Sequence, residues 1–281
     1  MEWQPGETVT LNVAGARLNG RCWGPPPDEA PTIVLLHEGL GSVDLWRDFP
    51  EKLQAATGFG VFAYDRRGYG RSSSYPAPWS VDYMRDEAVD VLPHVLDAIG
   101  FRRGILLGHS DGGSIAALYL GNVQDHRVRG LVLIAPHFFT EDFGLAAIQE
   151  ARAAYDAGGL REKLARYHDH VDDAFNGWNS GWLTPEFREW NIEYAIDEVR
   201  VPVLGIQGRD DRYGTMAHME ALEERSYSPC EILAVPDCGH APHAEKPDVV
   251  LPAITGFLQR LERLEREPST FQVLSSSLRG T

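Results

Sequence analysis

The stretch ILLGHSDGGSIAA, residues 105–117, sets one histidine and one serine among three glycines, directly after an apolar run. Its segment GHSDG, residues 108–112, fits the pattern G-x-S-x-G, in which a serine occupies a sharp turn between a strand and a helix. The turn strains the serine backbone, and strand and helix pass so close that the flanking positions must be small. The pattern therefore predicts that Ser110 is a nucleophile whose hydroxyl projects from the end of a strand.

A glycine-rich turn between a strand and a helix can also bind a phosphate group. The stretch lacks the lysine of a P-loop, and it does not fit the dinucleotide pattern G-x-G-x-x-G. The nucleophile is the favoured interpretation.

Short apolar runs on either side of this stretch predict strands that are buried on both faces. A hairpin is predicted at 7–24, and single strands at 32–37, 60–65, 104–108, 130–136, 201–208 and 231–236. Helical patterns separate many of them, at 46–56, 80–100, 112–122, 215–226 and 247–267. The alternation predicts an α/β fold with a mostly parallel, eight-stranded sheet and helices on both faces.

The alternation stops between residues 137 and 200. That segment is longer than an ordinary connection, and its patterns, at 141–158, 159–178 and 184–196, are helical. We expect an all-helical cap at 137–200, inserted into a core formed by 1–136 and 201–266. The polar, serine-rich residues 267–281 are expected to form a flexible tail.

A serine nucleophile needs a base, and the base needs an acid to orient it. In hydrolases built on this turn the chain order is serine, acid, histidine. The loop after the strand at 201–208 reads RDDRYG, and the loop after 231–236 contains CGHAPH. His240 is the predicted base, because the alternative, His243, falls in the first turn of the next helix.

Four motifs together make the chain resemble an α/β-hydrolase with a helical cap, over residues 7–266. They are HEGLGS at 37–42, YDRRGYGRSS at 64–73, GHSDGG at 108–113, and the pair GRDD and CGH at 208–211 and 238–240. In this family the acid commonly lies three residues after the glycine that ends the seventh strand. The resemblance thus implies Asp211 as the acid, with Asp210 as the alternative.

Two backbone N–H groups are expected to stabilise the oxyanion. One belongs to Asp111, directly after the nucleophile. The resemblance implies that the other belongs to Gly39, with Leu40 as second choice. Glu38 stands where the family usually has glycine, and we expect its side chain either to bond a cap residue or to face solvent. His37 is expected to support this loop by hydrogen bonding.

Other charged and imidazole groups near these motifs are expected to be structural. Arg66, Arg67 and Arg71 are interpreted as salt-bridge partners rather than substrate ligands, since such loop charges are mostly structural or solvated. His168 and His170 are two residues apart, so they do not face one another on a helix. A solvated helical face is the expected role for both.

The cap supplies candidate substrate-binding residues. Trp178 and Trp182 are four residues apart and share a helix face, so they either pack the cap on the core or line an apolar or aromatic substrate pocket. His137 follows the sixth strand, where the family often has substrate contacts, although a buried structural histidine is the alternative. With Leu40, these residues form the predicted substrate-binding set.

The predicted activity is a cofactor-free and metal-free serine hydrolase of small carboxylic esters, lactones or thioesters, acting through an acyl-enzyme. Within the family, C–C bond hydrolysis of a ring-cleavage dione is the alternative. A serine-dependent transferase or perhydrolase also remains open. Haloalkane dehalogenases and epoxide hydrolases are disfavoured, because those relatives use aspartate at the turn. A non-catalytic small-ligand receptor is the alternative from another class.

Composition limits the partners. The 281 residues are 43% hydrophobic and carry a formal net charge of −15, which disfavours nucleic acid and anionic membranes as partners. The three cysteines have no metal-ligand spacing, and neither a secretory signal nor an apolar run of membrane-spanning length is found. We expect a cytoplasmic monomer or homodimer that binds a small apolar or aromatic ester.

Overall fold

The computed structural model describes residues 1–266, and the tail predicted at 267–281 lies outside the described residues. The described strands are β1 (Thr8–Val13), β2 (Ala16–Trp23), β3 (Thr32–Leu36), β4 (Gly60–Tyr64), β5 (Gly104–His109), β6 (Val128–Ile134), β7 (Val203–Gly208) and β8 (Cys230–Val235). They form a single sheet in the order β1-β2-β4-β3-β5-β6-β7-β8. The hairpin β1–β2 and the pair β2–β4 are antiparallel, and all other neighbours are parallel.

The central strands are apolar along their whole length because both of their faces are covered. Ile105 and Leu107 of β5 lie in the core on one face of the sheet, and Leu106 between them lies in the core on the other face. Successive side chains of a strand point to opposite faces, so a strand buried on both sides needs an unbroken apolar run.

Helices of the main domain cover both faces of the sheet. They are α1 (Phe49–Thr57), α2 (Tyr83–Asp86), α3 (Leu92–Ala98), α4 (Asp111–Asn122), α10 (Ala217–Arg225), α11 (Pro242–Glu245) and α12 (Pro247–Arg266). Apolar residues of α1 and α12 pack on one face, and those of α3, α4 and α10 pack on the other. The predicted fold class is therefore confirmed.

The helix predicted at 80–100 contains an irregular turn. Between α2 and α3 the residues Glu87–Val91 form a π-helical turn, and Pro93 lies in the first turn of α3. Proline has no N–H to continue the regular hydrogen-bond ladder, which accounts for the irregularity at this point.

Five helices lie between β6 and β7, namely α5 (Asp142–Asp156), α6 (Gly159–Leu164), α7 (Val171–Trp182), α8 (Pro185–Arg188) and α9 (Glu193–Asp197). The continuous helix predicted at 159–178 is wrong, because the chain leaves the helix after Leu164 and re-enters it at Val171. The N–H of Asp169 in this break donates to the carbonyl of Gly70, which lies in the loop after β4. A contact with the core thus replaces a helical turn.

Candidate active site

Ser110 lies at the junction of β5 and α4 with a strained backbone. Its φ is 53° and its ψ is −121°, an uncommon conformation for a residue with a side chain. A Cβ atom on Gly108 would lie 2.1 Å from the carbonyl oxygen of Gly112, and one on Gly112 would lie 2.0 Å from that of Leu36. Glycine is required at both positions, and the turn has the shape that its sequence pattern predicts.

Asp211 and His240 form a hydrogen-bonded pair beside this turn. Nδ1 of His240 lies 2.7 Å from Oδ2 of Asp211 and donates to it, because a carboxylate oxygen can only accept. Asp211 also accepts from the side-chain amide of Gln207 at 2.8 Å and from the backbone N–H of Tyr213 at 2.8 Å. Burial raises the pKa of Asp211, but the hydrogen bond and charge interaction with His240 and the N–H of Tyr213 together outweigh it and lower the pKa to about 2. The carboxylate is therefore ionised, and Nε2 of His240 is left to accept a proton.

The two alternatives named from the sequence lie elsewhere. Asp210 is exposed, and its backbone N–H donates to the carbonyl of Cys238. His243 lies in α11, buried between the rings of Trp46 and Phe49, and burial lowers its pKa to about 3. Neither residue lines the cavity that contains Ser110.

The loop after β3 is fixed by a histidine of defined tautomer. The backbone N–H of Arg66 donates to Nε2 of His37 at 3.1 Å, so the ring proton is on Nδ1, which donates to the carbonyl of Glu38 at 2.7 Å. Burial, with Arg66 second, lowers the pKa of His37 and keeps the ring neutral. The guanidinium of Arg66 donates to the carbonyls of His37 and Glu38 at 3.2 and 2.9 Å. These bonds hold the backbone around the candidate oxyanion donors.

The predicted donors border the same cavity. Gly39, Leu40 and Asp111 all line it. Asp111 is the first residue of α4, so its N–H has no acceptor within the helix. A Cβ on Gly39 would lie 2.2 Å from Nε1 of Trp178, so only glycine fits beneath this cap residue.

The side chain of Glu38 takes neither of the expected positions. It lines the cavity, is 27% exposed, and its Oε2 lies 3.4 Å from Nδ1 of His109 in the core. Glu38 thus contacts His109, the residue directly before the serine in the G-x-S-x-G turn. The sequence offered no signal for this contact, because it joins two loops that are far apart in the chain.

The arginines of the 64–73 motif have structural contacts. Arg71 pairs with Asp169 of the cap, and Arg67 donates to the carbonyl of Ser74 at 3.3 Å. The expected salt bridge is thus seen for Arg71. Arg67 and Arg66 bond backbone carbonyls instead, and Arg66 comes only within 4.0 Å of a carboxylate oxygen, on Asp111.

The expectation of a solvated helical face is wrong for His168. This residue is 2% exposed and lies between α6 and α7 rather than on a helix. The N–H of Gly70 donates to its Nδ1 at 2.9 Å, and its Nε2 donates to the carbonyl of Leu40 at 3.1 Å. The cap histidine therefore joins two core loops, one of which holds a candidate oxyanion donor. His170 is exposed.

Apart from Asp211, which lies behind His240, the candidate residues meet around a cavity of about 120 Å³ between core and cap. Its lining contains Glu38, Gly39, Leu40, Ser110, Asp111, His137, Glu141, Gly144, Leu145, Ile148, Trp178, Trp182, Tyr213 and His240. All four predicted substrate-binding residues are in this set. His137 packs edge-on against Trp182 with ring centroids 5.2 Å apart, and burial lowers its pKa, so the ring is neutral.

Two polar networks near the cavity were not predicted from the sequence. The hydroxyl of Tyr83 donates to Asp111 and accepts from Nε1 of Trp182 at 3.0 Å. In the second network, Nε2 of His218 lies 3.0 Å from Oε2 of Glu141, which lines the cavity. These pairings depend on how the cap sits on the core, which no local pattern reveals.

Among residues 1–266, no helix is both long and apolar enough to cross a membrane. No group of three or more His, Cys, Asp or Glu in the same range is arranged to hold a metal ion.

Known proteins resemble this chain at several levels. The family description "alpha/beta hydrolase fold" matches residues 31–170. Epoxide hydrolase B of Mycobacterium tuberculosis (strain ATCC 25618 / H37Rv) is 35% identical over 130 residues, which are 46% of this chain and only 35% of that protein. The bifunctional esterase/perhydrolase DCH of Acinetobacter calcoaceticus is 26% identical over 219 residues, covering 68% of this chain and 77% of that protein.

Among solved structures, the enol-lactonase from Burkholderia xenovorans LB400 superposes with a TM-score of 0.72 at 21% identity. The superposition covers 89% of this chain and 100% of that one, and at this identity it shows the fold alone. From the sheet order, the strained serine turn and these matches, the chain belongs to the α/β-hydrolase fold family.

Proposed function

We propose that the chain is a serine hydrolase that cleaves small carboxylic esters, including lactones and thioesters, through an acyl-enzyme. The observation that carries the proposal is that His240 and Ser110 line the same cavity, while Asp211 bonds Nδ1 of His240 from behind the lining. A hydroxyl, an imidazole and an ionised carboxylate in this order form the apparatus of nucleophilic acyl transfer.

In the proposed acylation step, Oγ of Ser110 attacks the ester carbonyl and its proton passes to Nε2 of His240. The charge on the carbonyl oxygen is stabilised by the backbone N–H groups of Asp111 and Gly39. When the tetrahedral intermediate collapses, the C–O bond to the leaving alcohol breaks and His240 protonates the departing oxygen. Asp211 holds the imidazole in the required tautomer and stabilises its protonated form.

Deacylation repeats the chemistry with water as the nucleophile. His240 takes a proton from water, the hydroxide attacks the acyl carbonyl, and the proton is returned to Oγ of Ser110 as the carboxylic acid leaves. No redox step occurs, and side chains and backbone of this chain suffice for every proton transfer.

The cavity supports a small, largely apolar acyl group. Its volume of about 120 Å³ is well below the roughly 300–1,000 Å³ of sites for drug-sized ligands. Trp178, Trp182, Leu145 and Ile148 form its apolar part. We propose that residues 137–200 act as the cap that supplies this wall, over a core of 1–136 and 201–266.

The partial match to an epoxide hydrolase does not alter the proposal. The family's epoxide hydrolases are expected to carry aspartate at the nucleophile position, and this chain has Ser110 there. Opening an epoxide through a serine ether would leave no carbonyl for water to attack, so the cycle would stop at the alkylated enzyme.

Active-site labelling with a fluorophosphonate probe tests the proposal. We expect the wild-type chain to be labelled at Ser110, together with turnover of a 4-nitrophenyl ester, and Ser110→Ala to lose both. Ser180→Ala, which changes a cap serine outside the cavity lining, is the matched control and should retain both. Absence of labelling combined with tight binding of an intact ester would instead support a small-ligand receptor.

A further inference from the structure

Glu38 and His109 link three segments of the candidate site. These are the loop after β3, the turn at Ser110 and the loop that contains His240. Glu38 belongs to the loop after β3, His109 is the last residue of β5, and His240 lies in the loop after β8. Oε2 of Glu38 lies 3.4 Å from Nδ1 of His109, and Nε2 of His109 lies 2.8 Å from the carbonyl oxygen of His240. One imidazole therefore spans the three loops on which the proposed chemistry depends.

The hydrogen-bond partners fix the protonation of the His109 ring. The carbonyl oxygen of His240 can only accept, so Nε2 of His109 carries a proton. Nδ1 is buried and makes no hydrogen bond of regular geometry, and the carboxylate of Glu38 lies 3.4 Å from it. A bare lone pair pointing at a carboxylate is unfavourable, so the charged ring, with a proton on each nitrogen, is the form that suits both neighbours.

The other ionisable groups around His109 are compatible with a charged His109 ring. The rings of His240 and His243 lie 5.1 and 4.8 Å from it, between centroids, and the pKa of His243 is lowered, chiefly by burial, so that ring is neutral. Asp211 adds a more distant negative charge. Burial lowers the pKa of His109, but Glu38, the carbonyl of His240 and Asp211 together outweigh it, and the net shift is upward from the usual value. The pKa of Glu38 is correspondingly lowered, although burial opposes this shift.

Contacts with Gly41 hold Glu38 close to His109. The N–H of Gly41 donates to the carbonyl of Glu38 at 3.0 Å, and a Cβ on Gly41 would lie 2.4 Å from Oε2 of Glu38. The carboxylate thus lies against Gly41, and a side chain at this position would displace it. Glycine at position 38 would leave Nδ1 of His109 with no anion to face.

We propose that Glu38 and His109 are positioning residues for the candidate base: Glu38 orients the His109 ring, and His109 holds the backbone of His240 through its carbonyl oxygen. This inference rests on the proposed function. Asp211 fixes the His240 ring at Nδ1, and His109 fixes the main chain behind that ring. The pair also neutralises the negative charge that Glu38 would otherwise place beside the developing oxyanion.

Three variants and one control test the proposal by 4-nitrophenyl ester kinetics. In Glu38→Gln we expect kcat to fall about tenfold with little change in KM, because a loosened base slows the chemical step without altering substrate contacts. Glu198→Gln removes the same charge from an exposed ion pair with Arg200 and should leave both constants unchanged. His109→Gln keeps an N–H donor and should retain more activity than His109→Phe, which has none.

Nitrogen-15 NMR of the histidine rings supplies a readout that does not depend on turnover. At about pH 6.5, the ordinary histidine pKa, the wild-type His109 ring should be mostly doubly protonated, and in Glu38→Gln it should be the neutral Nε2–H form. A neutral ring in the wild type would overturn the proposal. So would Glu38→Gln with unchanged kcat while Ser110→Ala is inactive. If wild type neither turns over ester nor reacts with fluorophosphonate, the proposed function fails, and the ring titration still decides whether the Glu38–His109 pair exists.

Discussion

Asp210 and Asp211 are adjacent in the chain and lie in opposite environments. Asp211 is 6% exposed and bonds His240, whereas Asp210 points to solvent. The difference arises because the loop after β7 turns inward at Asp211, where Gln207 and the N–H of Tyr213 donate to the carboxylate. The sequence left the choice between them to family resemblance.

Exchanging each carboxylate for an amide tests this assignment. Asp211→Asn should lower kcat by about 10³- to 10⁴-fold, because an amide does not enforce the imidazole tautomer or stabilise its protonated form. Asp210→Asn is the matched control, and its kcat should stay within about twofold of wild type. Initial rates with one ester under saturation measure both. If Asp210→Asn is the more damaged variant, Asp211 is not the acid.

The lowered pKa of Asp211 predicts a pH dependence of stability. Its pKa is about 2 in the folded protein, compared with an ordinary value of 3.8. A carboxyl group with a lowered pKa in the folded state contributes stability above its unfolded pKa and loses it as pH falls towards the folded value. The stability of wild type relative to Asp211→Asn should therefore decrease between about pH 5 and pH 3. Urea midpoints measure this, and a difference that stays constant or grows on acidification contradicts it.

At the level of elements, the break between α6 and α7 connects cap and core. His168 accepts from the N–H of Gly70 and donates to the carbonyl of Leu40, so the cap helps to hold the loop of the candidate oxyanion donors. The accepting Nδ1 must be unprotonated, and burial lowers the pKa of His168 accordingly.

Removing the imidazole ring of His168 should affect both catalysis and stability. His168→Ala leaves two buried backbone groups without partners, so we expect a loss of about 1–3 kcal/mol in the free energy of unfolding. We also expect a fall in kcat larger than any change in KM. His170→Ala removes an exposed ring two residues away and should leave both quantities unchanged. Equal behaviour of the two variants in urea unfolding and ester turnover would rule out the connection.

At the level of the whole molecule, local patterns predicted the sheet, the serine turn and the loops of the candidate site. The turn at Ser110 is encoded by glycines that only its geometry requires, and Asp211 and His240 follow strands whose carboxyl ends meet at one edge. The contact Glu38–His109 joins residues that are 71 positions apart, and His168–Leu40 joins residues that are 128 positions apart. They depend on how the cap and the loops pack, so no periodicity or motif reveals them.

The charge of the molecule predicts substrate selectivity. The net charge is −15, and the cavity lining contains no lysine or arginine. An anionic acyl group would therefore be repelled by the overall charge and would meet no lysine or arginine counter-ion in the cavity. We expect kcat/KM for 4-nitrophenyl hemisuccinate to be at least about tenfold below that for 4-nitrophenyl butyrate, with part of the gap closing at high salt. Equal values at low salt would contradict this.

Ester turnover by His240→Ala tests the central claim most directly. If His240 is the base that activates Ser110, kcat/KM should fall by about 10²- to 10⁴-fold in a variant that is still folded at the assay temperature. A folded His240→Ala enzyme with wild-type turnover would contradict the account.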